Sequence, residues 1–357
     1  MNPSDWFEGI DRLRQRQGTA MERLGLGPHV TPSHVVLILP GLRLRCYGAG
    51  RPHCPPLLIV PAPIKRWYIW DLSPERSVVR KALAQGFGVY VIEWSAPPRA
   101  GGTLGLADYA GPMIDACADV IARLSACRQV FLCGHSLGGI LATLYSAWRQ
   151  ERVAALALFE APVNFNTVAR VLRRGAGAAL LASVPPDRAR RIPGSVLSAI
   201  FANAAPGAFY AAPGIDLLAS AVSPRHLATH LRVQRWALDE LPMARLLFDE
   251  VVALLFAQNS FIRGELVLGG TRLAAHQVTA PLLTLYRPIS SLAPPDTVLG
   301  FHNAAGSVHK VLLPYLGDVG VALQHVAPLV GDSAHLYVWP RVLDWLAQLS
   351  PVPRLLH

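Results

Sequence analysis

Residues 129–139 read QVFLCGHSLGG, and their composition predicts a strand, a tight turn and the start of a helix. Gln129–Cys133 is a short run rich in apolar residues, which is typical of a buried strand. Gly134, Ser136 and Gly138 then follow in the spacing G-x-S-x-G. A Cβ at either flanking position would strike the neighbouring strand or helix, so this sharp turn requires glycine there. The turn lifts the Ser136 hydroxyl above the sheet, and we therefore predict that Ser136 is a nucleophile.

Strands and helices alternate on both sides of this turn, which indicates a mostly parallel sheet covered by helices on both faces. Apolar runs predict further strands at Leu57–Val60, Gly88–Glu93, Val153–Phe159, Pro281–Tyr286 and Lys310–Leu313. Helical periodicity and flanking proline or glycine predict helices at Glu75–Gln85, Tyr109–Leu124, Ile140–Trp148 and Val338–Leu349. A strand–turn–helix with G-x-S-x-G inside such a sheet predicts the α/β-hydrolase fold.

The chain divides by composition into three parts. Residues 1–35 mix acidic and basic side chains and predict a polar, helical N-terminal arm. Residues 36–165 and 278–357 carry the alternating pattern and predict the α/β core. Residues 166–277 contain helical segments rich in Gly, Ala and Pro without a clear strand, so we expect a helical cap inserted into the core.

The composition excludes several classes of protein. Of the 357 residues 52% are hydrophobic and 16% are charged, so the chain has ample apolar surface to bury and is not broadly disordered. Its apolar runs are shorter than the ~18 residues that a membrane helix needs. The N-terminus lacks the apolar core of a signal peptide. We therefore expect a cytoplasmic protein without a transmembrane segment.

The cysteines and the charge give no sign of a metal, a cofactor or a nucleic acid. The five cysteines form no CxxC pair and no Cys/His cluster with metal spacing, so they fit free thiols in a reducing compartment. The net charge of +10 can attract anionic partners. However, the basic residues are scattered and no nucleic-acid motif is present, so we expect no nucleic-acid partner.

Five further segments extend the pattern around the elbow. They are Pro56–Arg80 (PLLIVPAPIKRWYIWDLSPERSVVR), Gly86–Trp94 (GFGVYVIEW), Leu106–Tyr109 (LADY), Glu160–Phe165 (EAPVNF) and Val338–Leu346 (VWPRVLDWL). With the elbow, they resemble the polyhydroxyalkanoate synthases and related α/β hydrolases over about residues 55–165 and 280–348. The resemblance implies acyl chemistry on hydroxyacyl esters or thioesters.

Two positions depart from that family. The family's nucleophile is a cysteine, and the matching residue here is Ser136. The family's catalytic aspartate follows the strand that matches PLLTLY, and its position here falls on Ser290. The acid is therefore missing from its usual place.

The base is sought among the histidines near the C-terminus, because this fold orders its triad as nucleophile, acid and then histidine. We favour His325, which lies 13 residues before Val338, a distance similar to that of the family's histidine from its matching helix. His302 and His309 precede the last predicted strand, and His335 falls on a variable position of the match. His135 is expected to be a packing or hydrogen-bonding residue.

Three carboxylates are candidates for the acid. Asp318 follows the last strand and could orient the base if the loop folds back, so we favour it. Glu160 ends the strand after the elbow helix, and some lipases of this fold keep their acid there. Asp296 follows Pro295, where a helix N-cap is the simpler interpretation.

The oxyanion hole requires two backbone N–H groups. Leu137 follows the nucleophile at the start of a helix and can supply the first. The second should come from the loop after Leu57–Val60, where the prolines have no N–H; that leaves Ala62 or Ile64, and we favour Ile64. Trp67, Tyr68 and Trp70 could line an acyl site, although core packing is the commoner role of such residues.

These residues predict a serine acyl-transfer enzyme. An esterase, thioesterase or depolymerase of hydroxyacyl esters or thioesters comes first, because serine exchanges thioesters less readily than a thiolate does. One alternative is a synthase-like acyltransferase that uses hydroxyacyl-CoA. Another is a non-catalytic partner of a synthase or of a polymer granule. The expected partners are an acyl ester or acyl-CoA substrate, with a polymer granule surface and a homodimer as further possibilities.

Overall fold

The computed structural model of the protein describes residues 3–48, 54–98, 104–165 and 191–350. Its central element is an eight-stranded sheet, whose strands are β1 (Ser33–Leu39), β2 (Leu42–Tyr47), β3 (Pro56–Val60), β4 (Gly88–Trp94), β5 (Val130–His135), β6 (Val153–Phe159), β7 (Leu282–Tyr286) and β8 (Lys310–Pro314). They are arranged in the order β1-β2-β4-β3-β5-β6-β7-β8. Strand β2 runs antiparallel to both of its neighbours, and β3 to β8 are parallel. The predicted mostly parallel sheet is confirmed.

Helices cover both faces of this sheet. Among the described residues, the α-helices of seven or more residues are α1 (Pro3–Met21), α2 (Val78–Ala84), α3 (Pro112–Ser125), α4 (Ser136–Trp148), α5 (Gly194–Ala204), α6 (Ala212–Ser220), α7 (Pro224–Ala237), α8 (Pro295–Ala304) and α9 (Trp339–Gln348). One buried apolar cluster contains side chains of α3 and α4, and a second contains side chains of α2 and α9. Burial on both faces explains why the parallel strands read as nearly continuous apolar runs.

The predicted strands agree with the observed ones to within two residues, but the hairpin of β1 and β2 was not predicted. Its first strand begins inside the segment expected to be a polar arm. In β2, Leu42 and Leu44 are fully buried, whereas Arg43 points outward. Arg45 donates to Glu93 at 2.8 Å and lies 4.6 Å from the Trp67 ring centroid. The arginines interrupt the apolar run, and this concealed a strand in which alternate residues face the core.

Two predicted helices begin or break elsewhere than expected. Helix α2 starts after Ser77, whose hydroxyl accepts from the Arg80 N–H at 2.9 Å and so acts as an N-cap. The expected helix Tyr109–Leu124 is divided between Leu106–Ala110 and α3. The break falls at Gly111, where a Cβ would lie 2.6 Å from the Trp148 ring.

The region between β6 and β7 contains α5, α6, α7 and the short helices Arg245–Glu250 and Ser260–Arg263. Our expectation of no strand there was wrong, because Arg191–Ile192 pairs with Met243–Ala244, and Leu266–Leu268 pairs with Thr271–Leu273. Residues 166–190 of the expected cap lie outside the described residues. The assignment of this region as a separate cap stays a prediction.

The N-terminal helix packs on the inserted helices. The Asp11 carboxylate accepts from the Ser195 N–H at 2.8 Å and from the Gly194 N–H at 3.2 Å, so it satisfies free donors at the start of α5. Arg14 donates to the Ala237 carbonyl at 3.0 Å, at the end of α7.

Within the described ranges, no single helix is long and apolar enough to cross a membrane. One pair, α5 with Gly207–Ser220, passes on length and composition but is bent by 109°.

Candidate active site

The proposed nucleophile lies at the sharp corner between β5 and α4. Ser136 has φ 55°, which a residue with a Cβ adopts only at a cost of about 1–2 kcal/mol. A Cβ on Gly134 would lie 2.5 Å from the Gly139 Cα, and one on Gly138 would lie 2.1 Å from the Val60 carbonyl oxygen. These approaches explain why both flanking positions are glycine. They also fix the start of α4 against the loop that follows β3.

The proposed base lies against the same corner. His325 is in the short turn Gln324–Val326, and its side chain is 12% exposed. His135, the residue before the nucleophile, donates from Nε2 to the His325 carbonyl oxygen at 2.7 Å, and the two ring centroids are 4.5 Å apart. The structure therefore brings His325 from the C-terminal part of the chain to the elbow, and His135 has the hydrogen-bonding role expected of it.

The carboxylate that lies beside His325 is that of Glu160, not that of Asp318, which we favoured from the sequence. The Glu160 Oε2 is 2.8 Å from the His325 Nδ1. Glu160 directly follows β6, is fully buried and has φ 44°. The register of the sheet explains its position: His135 pairs with Phe159, so the residues after them leave two neighbouring strands side by side.

The carboxylate of Asp318 is engaged elsewhere. It accepts hydrogen bonds from the Tyr315 hydroxyl and from the Ser333 N–H and Oγ, the latter two at 3.0 and 2.8 Å. The loop after β8 therefore does not fold back to offer this carboxylate to His325.

Asp296 is exposed in the first turn of α8, and Pro294 occupies the N-cap position. An acidic side chain there is stabilised by the helix dipole.

The surroundings of Glu160 set its protonation. Burial raises the pKa of its carboxyl to about 8; the Arg287 guanidinium, whose Nε is 3.9 Å from Oε1, and a hydrogen bond from Ser290 oppose that rise. Ser290, where the resemblance places the family's acid, thus donates a hydrogen bond to a carboxylate that follows the neighbouring strand β6. Burial lowers the pKa of His325, and the charge of Arg287 adds to this, so the imidazole is neutral.

The oxyanion donors remain a prediction. Leu137 is in the first turn of α4, where backbone N–H groups have no partner within the helix. In the loop after β3, the Ala62 carbonyl accepts from the Lys65 N–H at 3.3 Å, and the Ile64 carbonyl accepts from the Leu241 N–H at 3.0 Å. These bonds use carbonyl groups and leave the choice between the Ala62 and Ile64 N–H groups open.

The aromatic residues after this loop pack in the core. Trp70 is fully buried, and its ring centroid lies 6.1 Å from that of Phe159 and 6.0 Å from that of Trp339. The Tyr68 hydroxyl donates to Asp239 at 3.0 Å. Trp67 is also buried, in the cluster on the α2 and α9 side of the sheet. The packing interpretation therefore accounts for these residues.

Comparisons with known proteins agree with this architecture. A family described as the alpha/beta hydrolase fold matches residues 55–192, and one described as the poly-beta-hydroxybutyrate polymerase (PhaC) N-terminus matches residues 5–82. The monoacylglycerol lipase of Paleococcus ferrophilus superimposes with a TM-score of 0.54 at 15% identity, covering 87% of this chain and 99% of the lipase. That likeness shows the fold alone.

Curated relatives are similar over most of the chain. The poly(3-hydroxyalkanoate) polymerase subunit PhaC of Haloferax mediterranei is 29% identical over 323 residues, which are 90% of this chain and 64% of that protein. The subunit of the same name from Allochromatium vinosum is 28% identical over 351 residues, 95% of this chain and 96% of the relative. The chain thus spans slightly less than two thirds of the first relative and nearly all of the second.

Proposed function

Because this chain is an α/β-hydrolase-fold protein that resembles polyhydroxyalkanoate polymerases over most of its length, we propose that it is a serine acyl-transfer enzyme acting on hydroxyacyl esters or thioesters. Ser136 is the nucleophile, His325 the base and Glu160 the acid. The observation that carries the proposal is the imidazole–carboxylate pair, 2.8 Å apart, packed against the elbow that holds Ser136. A serine hydroxyl needs such a base at neutral pH.

The pair supports a two-step reaction. With Glu160 ionised, the His325 Nδ1–H donates to it and Nε2 keeps a lone pair. Nε2 accepts the proton of Ser136 while Oγ attacks the acyl carbonyl, and the N–H of Leu137 with that of Ile64 or Ala62 stabilises the oxyanion. The carbon–sulfur or carbon–oxygen bond then breaks, and His325 returns the proton to the leaving group. Water attacks the acyl-serine by the same route, releasing the hydroxy acid and restoring Ser136.

Transfer instead of hydrolysis is the second candidate function. The names of the relatives favour it, because a polymerase passes the acyl group to the hydroxyl of a growing chain. Serine at the nucleophile position favours hydrolysis, since a serine hydroxyl exchanges thioesters less readily than a thiolate does.

The products of 3-hydroxybutyryl-CoA test both candidates. We expect release of CoA with free 3-hydroxybutyrate in the soluble fraction. Release of CoA with insoluble polyester would establish transfer in its place. A folded protein that releases no CoA and hydrolyses no p-nitrophenyl ester would contradict both and favour a non-catalytic partner of a synthase.

Paired substitutions of Glu160 and Asp318 test which of the two carboxylates is the catalytic acid. Glu160→Gln should lower kcat by about 10³–10⁴-fold, because an amide donates to Nδ1 and forces the imidazole proton onto Nε2. Asp318→Asn should leave kcat within about threefold but lower the free energy of unfolding by about 1–3 kcal/mol, since one of the two oxygens that accept from Tyr315 and Ser333 is replaced by a donor. Steady-state kinetics and urea unfolding measure the two effects. A large loss of kcat in Asp318→Asn alone would reverse our assignment.

The rate should depend on pH through Glu160. Burial raises the pKa of this carboxyl to about 8. Below that pH the protonated carboxyl donates to Nδ1 and leaves the proton on Nε2, where it blocks the base. We therefore expect kcat/KM to rise with pH through an apparent pKa of about 8. Glu160→Gln should lack this rise of kcat/KM with pH. If the rise is unchanged in that variant, the group that titrates is not Glu160.

A further inference from the structure

The loop that carries His325 is bound by a side chain from the inserted helices. Asp216 lies on the inner side of α6 and is 8% exposed. Its Oδ1 accepts from the Gly320 N–H at 2.9 Å, and its Oδ2 accepts from the Ala322 N–H at 2.7 Å. One carboxylate thus binds two backbone donors in the segment between β8 and His325.

This segment needs an external anchor. Gly317 has φ 105°, Gly320 has φ 81° and Ala322 has φ 55°, so its backbone enters the left-handed region three times within six residues. The turn Gln324–Val326 follows at once. Glycine adopts a positive φ freely, but Ala322 does so at a cost and keeps this conformation only when its surroundings enforce it. The bonds to Asp216 supply that enforcement just before the base.

The helices also fix Asp216 itself. His230 on α7 is fully buried, and its Nδ1 lies 2.7 Å from the Asp216 Oδ2. The His230 Nε2 is in turn 2.8 Å from the Gln234 amide nitrogen. Gly320 approaches the same helix so closely that a Cβ would lie 2.7 Å from the His226 Cβ. The carboxylate is therefore held on one side by α7 and holds the loop on the other.

We propose that Asp216, held by His230, is a positioning residue that keeps His325 in reach of Ser136 and Glu160. The inference rests on the proposed function and deepens it, because the region inserted between β6 and β7 then helps to assemble the catalytic group. Asp216 acts through the backbone of residues 320–322 and is not itself a catalytic residue.

Asp216→Asn tests the proposal in the full-length protein. The amide keeps the size of the side chain but can accept from fewer of the three donors, so the loop loosens. We expect kcat to fall by about 10–100-fold, since a displacement near 1 Å can cost about 10²-fold. KM should stay within about threefold. The rate of labelling by a fluorophosphonate probe should fall by the same factor as kcat. The far-downfield proton resonance of the His325 Nδ1–H bond to Glu160 should broaden or shift.

Asp332→Asn is the matched control. Asp332 also joins the core to α7, through Arg76 at 2.5 Å and His226 at 3.0 Å, and its substitution removes the same charge. We expect it to leave kcat, labelling and the resonance within twofold of the wild-type values. If Asp216→Asn does not fold, His230→Gln removes the support behind the carboxylate and should lower the labelling rate in the same direction.

The outcomes separate this inference from the proposed function. If the wild-type protein shows no Ser136-dependent labelling, the proposed function fails. The positioning role alone is refuted if the wild-type protein is labelled at Ser136 and Asp216→Asn is labelled equally fast, with an unchanged resonance. His230→Gln takes the place of Asp216→Asn in this comparison if the latter does not fold. Equal losses in Asp216→Asn and Asp332→Asn would also refute it, because any broken contact with α7 would then suffice.

Discussion

Ser136→Ala is expected to abolish turnover of 3-hydroxybutyryl-CoA and of p-nitrophenyl esters while the fold persists. Removing the nucleophile of a serine hydrolase costs about 10⁶-fold in kcat. The change deletes one oxygen from a partly exposed side chain and leaves the backbone at φ 55° as it was. Kinetics give the loss of rate, and circular dichroism with thermal melting reports the fold. A fluorophosphonate probe that labels the wild type should not label Ser136→Ala.

Ser136→Cys is the companion variant. It restores a nucleophile at the same position, and it is the residue that the resemblance to the synthases implies there. We expect it to regain measurable CoA release, with more of the acyl group passed to added alcohol or thiol acceptors. If a folded Ser136→Ala protein kept the wild-type rate, the serine mechanism would be wrong.

His325→Ala should have the next largest effect, a loss of about 10³–10⁶-fold in kcat, because it removes the proposed base. Added imidazole should restore part of the rate, since the substitution leaves a space beside Glu160. The measurement is ester hydrolysis with and without imidazole, on protein whose fold is verified by thermal melting.

His309→Ala is the matched control for this prediction. His309 was a competing candidate in the sequence and is exposed beside β8. Its removal should change kcat by less than twofold. Near-normal turnover in His325→Ala would move the base elsewhere.

Much of the central sheet could be predicted, because parallel strands that are buried on both faces appear in the sequence as nearly continuous apolar runs. Val153–Phe159 was predicted with its observed bounds. The hairpin of β1 and β2 was missed because it lies at the edge of the sheet, where Arg43 faces solvent and Leu42 faces the core. Polar and apolar residues alternate in antiparallel strands that have one face toward solvent, so a continuous apolar run is not their signal.

The proposed acid shows the limit of predicting contacts from sequence spacing. Asp318 lies near His325 in sequence, but spacing cannot tell whether an irregular loop folds back. Glu160 could have been favoured by a topological argument. It follows a strand that pairs in parallel with the elbow strand, and the ends of such strands meet at one edge of the sheet. The hydrogen bond between Asp216, on α6, and the Ala322 N–H joins residues that are 106 positions apart in the sequence. Such a contact cannot be predicted from a local sequence pattern.

Ser136 and Glu160 stand side by side at the ends of β5 and β6, and both have left-handed backbones at φ 55° and 44°. Each non-glycine residue in that conformation carries a cost of about 1–2 kcal/mol. Glycine at either position would relieve the cost and remove the functional group. Selection for thermal robustness alone would favour glycine at both positions, so in the proposed enzyme these two strained side chains exchange folding stability for reactivity.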